Sequence, residues 1–274
     1  MVQEPMELIL SRAELVYVLN ALQASRIVGV ELTEFAWPQQ QFDALLREAE
    51  QGLVSRSLLT VDAQSQRRLL APELVEMAGV LAFRSLAFAL IRGVRDKGQQ
   101  LFVFNLYQDL MVEHTLPQEG MHRLVPIGAP EDLFARVESL VPLQPVRRKG
   151  RPLFTMAQSR FERMRQGVQT KSASEVMSIL VTAGLAEGLV SLFIQALQNP
   201  LFTLSLACLE CEGNTVVAAS SVAVFADEQS SWGIWSGAAD VDPSRLLIFP
   251  TGINDIQSAF VDWLGLEPEQ LTSA

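Results

Sequence analysis

Two stretches of the chain carry the same order of apolar runs and polar tips, and that recurrence limits the available folds more than any other feature. Residues 201–236, LFTLSLACLECEGNTVVAASSVAVFADEQSSWGIWS, read as three consecutive strands with turn chemistry between them. Residues 85–115, SLAFALIRGVRDKGQQLFVFNLYQDLMVEHT, read the same way. Each opens on an apolar, β-rich run, passes a polar tip and returns as a second apolar run, with a third short run behind it. The tips are Asp96, Lys97 and Gly98 in one and Glu212, Gly213 and Asn214 in the other. In both, a fourth strand then feeds a helix: His122–Ile127 leads into PEDLFARVESLV, and Arg245–Phe249 into INDIQSAFVDWL.

The match extends backwards. FDALLREAEQGLV predicts a helix closed by Gly52, and ASEVMSILVTAGLA one closed by Gly184. Glycine is favoured just past a helix end because it takes the left-handed conformation without a Cβ penalty. MELILSRAELVYVLNAL pairs with RPLFTMAQSRFERMRQ, each a short apolar run before an amphipathic helix. These correspondences imply an internal duplication, residues 4–141 and 151–266, with a period too long for a solenoid. The expected architecture is α+β. Residues 1–145, with an extra hairpin at 54–71, form one half and residues 146–274 the other. Each half should carry helices and a four-stranded antiparallel meander, the two joined into a central sheet and one domain.

Bulk properties narrow the function classes. A hydrophobic content of 49% supplies a real core. The formal charge of −10 argues against a nucleic-acid partner, since phosphate binding is driven largely by counterion release to Lys and Arg. MVQEPMELIL has no basic n-region or long apolar core, and no run reaches the roughly 20 apolar residues of a membrane helix. A cytoplasmic chain with no membrane partner is therefore expected. The cysteines, Cys208 and Cys211, suit a reducing compartment and exclude a disulfide framework.

Along the chain, Ser11 followed by Glu14 is a capping-box pair opening a helix with Leu15, Val18, Leu19 and Leu22 on its buried face. Residues 39–83 give a helix, a hairpin carrying Arg67 and Arg68 with its tip near Asp62–Gln66, and a second helix from Pro72 to about Phe83. That order resembles the helix-plus-wing of a DNA-binding winged helix and supplies the alternative reading, a transcriptional regulator. Two arginines beside several carboxylates nevertheless make a poor phosphate-binding surface. PLQPVRRKGRP, residues 142–152, reads as the connector, and its Arg147, Arg148, Lys149 and Arg151 form the chain's one basic cluster. Ser172 and Glu175 repeat the capping-box spacing, and Pro200 ends the helix of AEGLVSLFIQALQNP.

The strand Thr215–Asp227 is apolar or small at both alternating sets, which predicts cover on both faces, either within the monomer or by a partner. Trp232 and Trp235, with Phe225 nearby and Phe260 on the following helix, are the candidate aromatic anchors for such a partner. Catalytic signals are thin. There is no G-x-S-x-G, P-loop, G-x-G-x-x-G or H-E-x-x-H. His114 and His122 fall in predicted strands with no nucleophile motif beside them. Cys208 and Cys211 form a lone C-x-x-C whose side chains, three apart in a strand, point to opposite faces, so neither zinc nor a redox role is expected. Carboxylate pairs such as Asp109 with Glu113 and Asp240 with Asp242 carry no further support for acid–base work. A non-enzymatic protein without cofactor or metal is the expectation.

Several phrases together resemble the EspG family of ESX (type VII) secretion-associated chaperones. They are ELILSRAELVYVLNAL, FDALLREAEQGLV, TAGLAEGLVSLFIQALQNP, RLVPIGAPEDLFARVESLVP and RLLIFPTGINDIQSAFVDWL, and the similarity covers nearly the whole chain. The resemblance implies quasi-twofold related halves around a central antiparallel sheet. It further implies a cytosolic role in binding the apolar tip of a helical PE/PPE-type secretion substrate and keeping it soluble. Either a monomer or a homodimer is compatible with it.

Overall fold

The computed structural model describes residues 6–24, 27–28, 38–128, 130–147, 154–167, 173–213, 215–236 and 244–266. The basic residues Arg148, Lys149 and Arg151, the Ser172 cap, the Asn214 tip, and Asp240 with Asp242 lie outside the described residues. The elements of the first part are β1 (Leu8–Ser11), α1 (Arg12–Ala21), α2 (Gln39–Ser55), β2 (Leu59–Val61), β3 (Arg68–Leu70), α3 (Pro72–Phe83), β4 (Leu86–Val94), β5 (Gly98–Tyr107), β6 (Leu110–Gln118), β7 (Met121–Ile127) and α4 (Pro130–Leu140). Then come β8 (Phe154–Ala157), α5 (Gln158–Gly167), α6 (Ala173–Thr182), α7 (Glu187–Gln198), β9 (Phe202–Glu212), β10 (Thr215–Ala226), β11 (Ser231–Ser236), β12 (Arg245–Pro250) and α8 (Ile253–Leu264). The fold is α+β, with a large antiparallel sheet in the hydrogen-bonded order β1-β7-β6-β5-β4-β9-β10-β11-β12-β8 and a separate β2-β3 hairpin. Counted inward from either edge, the strands occur in corresponding order, β1-β7-β6-β5-β4 from one side and β8-β12-β11-β10-β9 from the other.

The chain forms two compact units, each assembled from discontinuous segments: Met1–Ala89, Leu101–Asp132 and Leu209–Ala218 in the first, Leu90–Gln100, Leu133–Cys208 and Ala219–Ala274 in the second. In the first unit, helices α1 and α3 pack Leu15, Val18, Leu74, Met77 and Leu81 against Leu8, Leu10, Val112 and Leu124 of the sheet. Burying each such side chain contributes roughly 1.5–3 kcal/mol. The Ser11 capping box forms: the Glu14 backbone N–H donates to Ser11 Oγ at 3.2 Å, and the Ser11 N–H donates to Glu14 Oε2 at 2.8 Å. Glu14 has a second task, accepting from Arg56 at 3.1 Å beyond the end of α2. That contact corrects the expectation at Gly52. Helix α2 runs past Gly52 to Ser55, because the glycine serves close approach instead; a Cβ there would lie 2.9 Å from Glu14 Oε1.

In the second unit, Phe193 of α7 is the hub of an aromatic core. It makes edge-to-face contacts with Phe154 at 5.8 Å, Phe225 at 5.3 Å and Trp232 at 5.1 Å between ring centroids. Helices α6 and α7 meet at 118°, and Gly184 between them takes φ +104°, as expected of a residue just past a helix end. Strand β12 pairs with β11 on one side and β8 on the other, fixing the register Trp232↔Pro250 and Ile248↔Phe154. Among the described residues, no single helix is long and apolar enough to cross a membrane.

Strand β10 departs from expectation. Its last six residues, Ser221–Ala226, pair with β11, and Val222, Val224, Phe225 and Ala226 are buried. The residues Thr215–Ala219 run past the described end of β11 and are exposed on both faces, with Val216 at 48% and Val217 at 51% of full exposure. Cover on both faces therefore holds only where β11 and the helices reach.

Candidate functional site

A concavity with an apolar floor lies in the second unit, a groove of about 490 Å³. Three elements wall it. The first is the extended segment at residues 142–146, which follows α4 and presents Leu143 and Val146. It is held in place by Asn254 near the start of α8: the Val146 N–H donates to Asn254 Oδ1 at 2.9 Å, and Asn254 Nδ2 donates to the Val146 carbonyl at 3.1 Å. Gly252 permits that approach, since a Cβ there would collide with the Gln144 carbonyl and lie 2.6 Å from the Val146 nitrogen.

The second wall is α7, through Leu189 and Leu192. The third is the β10–β11 turn, Asp227–Ser230, which is fixed by its own side chains. Asp227 Oδ1 accepts from the backbone N–H groups of Gln229 and Ser230, both at 2.8 Å, the geometry of an Asx turn. The Ser230 hydroxyl accepts from the Trp232 indole N–H at 3.2 Å and so ties the turn to the floor. Asp227 Oδ2 is buried and has no hydrogen-bond partner among the described residues. With Glu228 beside it and no Lys or Arg among the described residues that line the groove, the described part of the mouth is acidic and accepting.

No family model matches the sequence, and no curated protein matches it. Among solved structures, the chain is similar to EspG5 of Mycobacterium tuberculosis, a type VII secretion system chaperone whose structure was determined in complex with the PE25-PPE41 dimer. The TM-score is 0.65 at 12% sequence identity, over 96% of this chain and 97% of that one. The chain has the EspG fold.

Within the EspG fold, the four aromatic residues expected at a partner surface separate. Phe225, Trp232 and Phe260 are 5%, 1% and 0% exposed, and so are core residues rather than a surface anchor. The cause is packing: Phe225 and Trp232 are drawn into the Phe193 cluster, while Phe260 packs edge-on against Phe134 at 6.4 Å and Trp263 at 5.9 Å. Trp235 keeps partial exposure and stacks on Phe249 at 5.6 Å. Trp232 still lines the groove as part of its floor.

Other sequence candidates are placed as follows. Cys208 and Cys211 form no disulfide, and both are buried. Among the described residues, no group of three or more His, Cys, Asp or Glu could hold a metal ion. Asp109 sits in the turn before β6, whereas Glu113 is buried within β6 and faces Arg123 at 3.5 Å. The structure does unite the two histidines, which no motif had paired. His114 on β6 and His122 on β7 stack with Nε2···Nδ1 at 2.9 Å in the first unit's interior. Burial, together with the partner ring, lowers His114 to about 3, and burial with Arg12 nearby lowers His122 to about 4. Both rings are therefore neutral at neutral pH and form a structural pair. In the winged-helix candidate region, Arg68 is occupied by Glu50 at 3.0 Å.

Proposed function

We propose that this chain is a non-enzymatic chaperone or adaptor of the cytosol that holds an apolar helical client, of the PE/PPE kind, in soluble form. The observation that carries this reading is the likeness to EspG5 along 96% of the chain, EspG5 having been determined with a PE25-PPE41 dimer bound. The second-unit groove supports it from the chain's own residues. Walls of Leu143, Val146 and Leu192 around the Trp232 floor, under an acidic lip, suit apolar side chains at a helix tip, with a hydrogen-bond donor from the client meeting Asp227. We further propose that the two halves, 1–145 and 146–274, descend from one duplicated module, a reading supported by the corresponding element orders. The regulator alternative finds no support in Arg68, whose charge is engaged by Glu50.

The test is affinity capture from the native cytosol with the tagged protein, at moderate salt, with and without nuclease treatment, comparing the parent with Leu192→Glu. A helical protein retained stoichiometrically by the parent and lost from a Leu192→Glu variant of unchanged circular dichroism is the expected result. Equal retention by both removes the groove from the proposal. Retention of nucleic acid alone, abolished by nuclease, replaces the chaperone with the regulator.

A further inference from the structure

We infer that one water molecule is bound in the interior of the first unit, bridging the Asn105 amide to His114 and extending the histidine pair into a hydrogen-bonded chain across β5, β6 and β7. The observation that carries it is a set of buried polar atoms concentrated at one place in the sheet. Asn105 is fully buried, yet neither its Oδ1 nor its Nδ2 has a hydrogen-bond partner among the described residues, and the same holds for His114 Nδ1. Exchanging the amide oxygen and nitrogen changes nothing, because both ends are unpaired. Such atoms bear the full cost of leaving bulk solvent, and native interiors answer nearly all of them with protein groups or ordered water.

The strand register brings these atoms together. Asn105 lies opposite Val112 and Val103 opposite His114, so Asn105 and His114 are diagonal neighbours on one face of the β5–β6 pair. Val112 marks that face as the one packed into the core with Leu74, Met77 and Leu81 of α3. Diagonal positions lie about 7–8 Å apart, a separation that suits a bridging water better than a direct bond between two short side chains. The paired rings make the site amphoteric. His114 Nε2 and His122 Nδ1, 2.9 Å apart, hold one proton between them. If His114 supplies it, His114 Nδ1 is a bare acceptor; if His122 supplies it, His114 Nδ1 carries a hydrogen and donates. Water answers either form, while accepting from Asn105 Nδ2 and donating to Asn105 Oδ1. Buried waters typically make about three hydrogen bonds, which matches the three unpaired atoms. Ions fit worse. A cation would face the amide hydrogens and the Arg12 charge, which is near enough to His122 to help lower its pKa. An anion would meet neutral rings, since burial holds both histidines unprotonated at neutral pH.

The experiment uses the full chain at neutral pH. In a crystal structure of the parent at atomic resolution, one enclosed oxygen should touch both ends of the Asn105 amide and His114 Nδ1. Oxygen-17 relaxation dispersion should count one long-lived internal water fewer in Asn105→Leu, and likewise in His114→Phe, than in the parent. A double-mutant cycle read by chemical denaturation adds the energetic test. Asn105→Leu should lower the folded-to-unfolded ratio about tenfold in the parent and far less on the His114→Phe background, because the bridge is then already broken. An Asn105→Leu variant more stable than the parent means a dry, unpaired amide and overturns the proposal. Equal losses on the two backgrounds, or an internal water that survives both substitutions, do the same. If either variant fails to fold, the parent crystal structure decides alone: a direct Asn105–His114 hydrogen bond, or no oxygen between them, ends the inference.

Discussion

The two compact units are stabilised by different materials. The second unit has a largely apolar, aromatic interior in which one ring, Phe193, touches three others, with Thr251 and Asp255 its buried polar residues among those described. The first unit has a leucine-rich core of similar kind, but embeds ionisable and amide groups in it: the His114–His122 pair, Glu14, Glu113 and Asn105 are all nearly inaccessible. Apolar packing responds to shape and is indifferent to protons. Buried polar groups respond to protonation and to the loss of a single partner. The comparison teaches that a single stress, acid or a core truncation, should strike the units unequally.

Truncation of the hub gives the largest effect. Phe193→Ala should cost about 3–5 kcal/mol, read as a lower denaturant midpoint at pH 7.5 with the loss unchanged at pH 5.5. Acid should reach the first unit instead. Both histidines titrate in the folded state below their ordinary value, so the unfolded chain takes up protons first and stability falls as the pH drops below about 6.5, continuing until the folded pair itself protonates near 4 and 3. Above that window the contribution is flat. Each ring accounts for about 2 kcal/mol lost by pH 5, and the double variant His114→Gln with His122→Gln should flatten the slope measured by chemical denaturation. A slope that persists in the double variant assigns the acid sensitivity elsewhere.

Smaller changes sharpen the contrast. Glu14→Gln removes the charge that both caps α1 and receives Arg56, at about 1–2 kcal/mol by the same assay. Gly252→Ala should push the 144–146 segment off Asn254 and open the groove wall, lowering retention of the proposed client more than thermal stability. At the low end, Arg68→Ala breaks an exposed ion pair with Glu50 and should change stability by less than about 0.5 kcal/mol.

Much of this was legible in the sequence for definite reasons. Alternation of apolar residues and polar tips located the long hairpins, the S-x-x-E spacing located the cap of α1, and Pro72 located the start of α3. Gly52 misled because a glycine required for close approach reads like one that ends a helix. Phe225, Trp232 and Phe260 were not separable from Trp235 in the sequence, because an interface anchor and a core ring have the same local pattern; α7 draws in the first two, and Phe134 with Trp263 encloses Phe260. The groove was not legible. Its defining clamp joins Val146 to Asn254 across 108 residues, and no local signal marks either partner. Only the turn DEQSS hinted at it, through the Asx chemistry of Asp227.

The discontinuous make-up of the first unit sets a timetable for synthesis. Its sheet includes Leu209–Ala218, although its other segments are finished by Asp132. At ordinary elongation rates of about 5–20 residues per second, the ribosome needs roughly 4–15 seconds to cover the intervening chain. For that interval β4 waits at an unfinished edge, its neighbour β9 still unmade. A nascent chain in this state exposes the open edge of β4 until β9 has emerged.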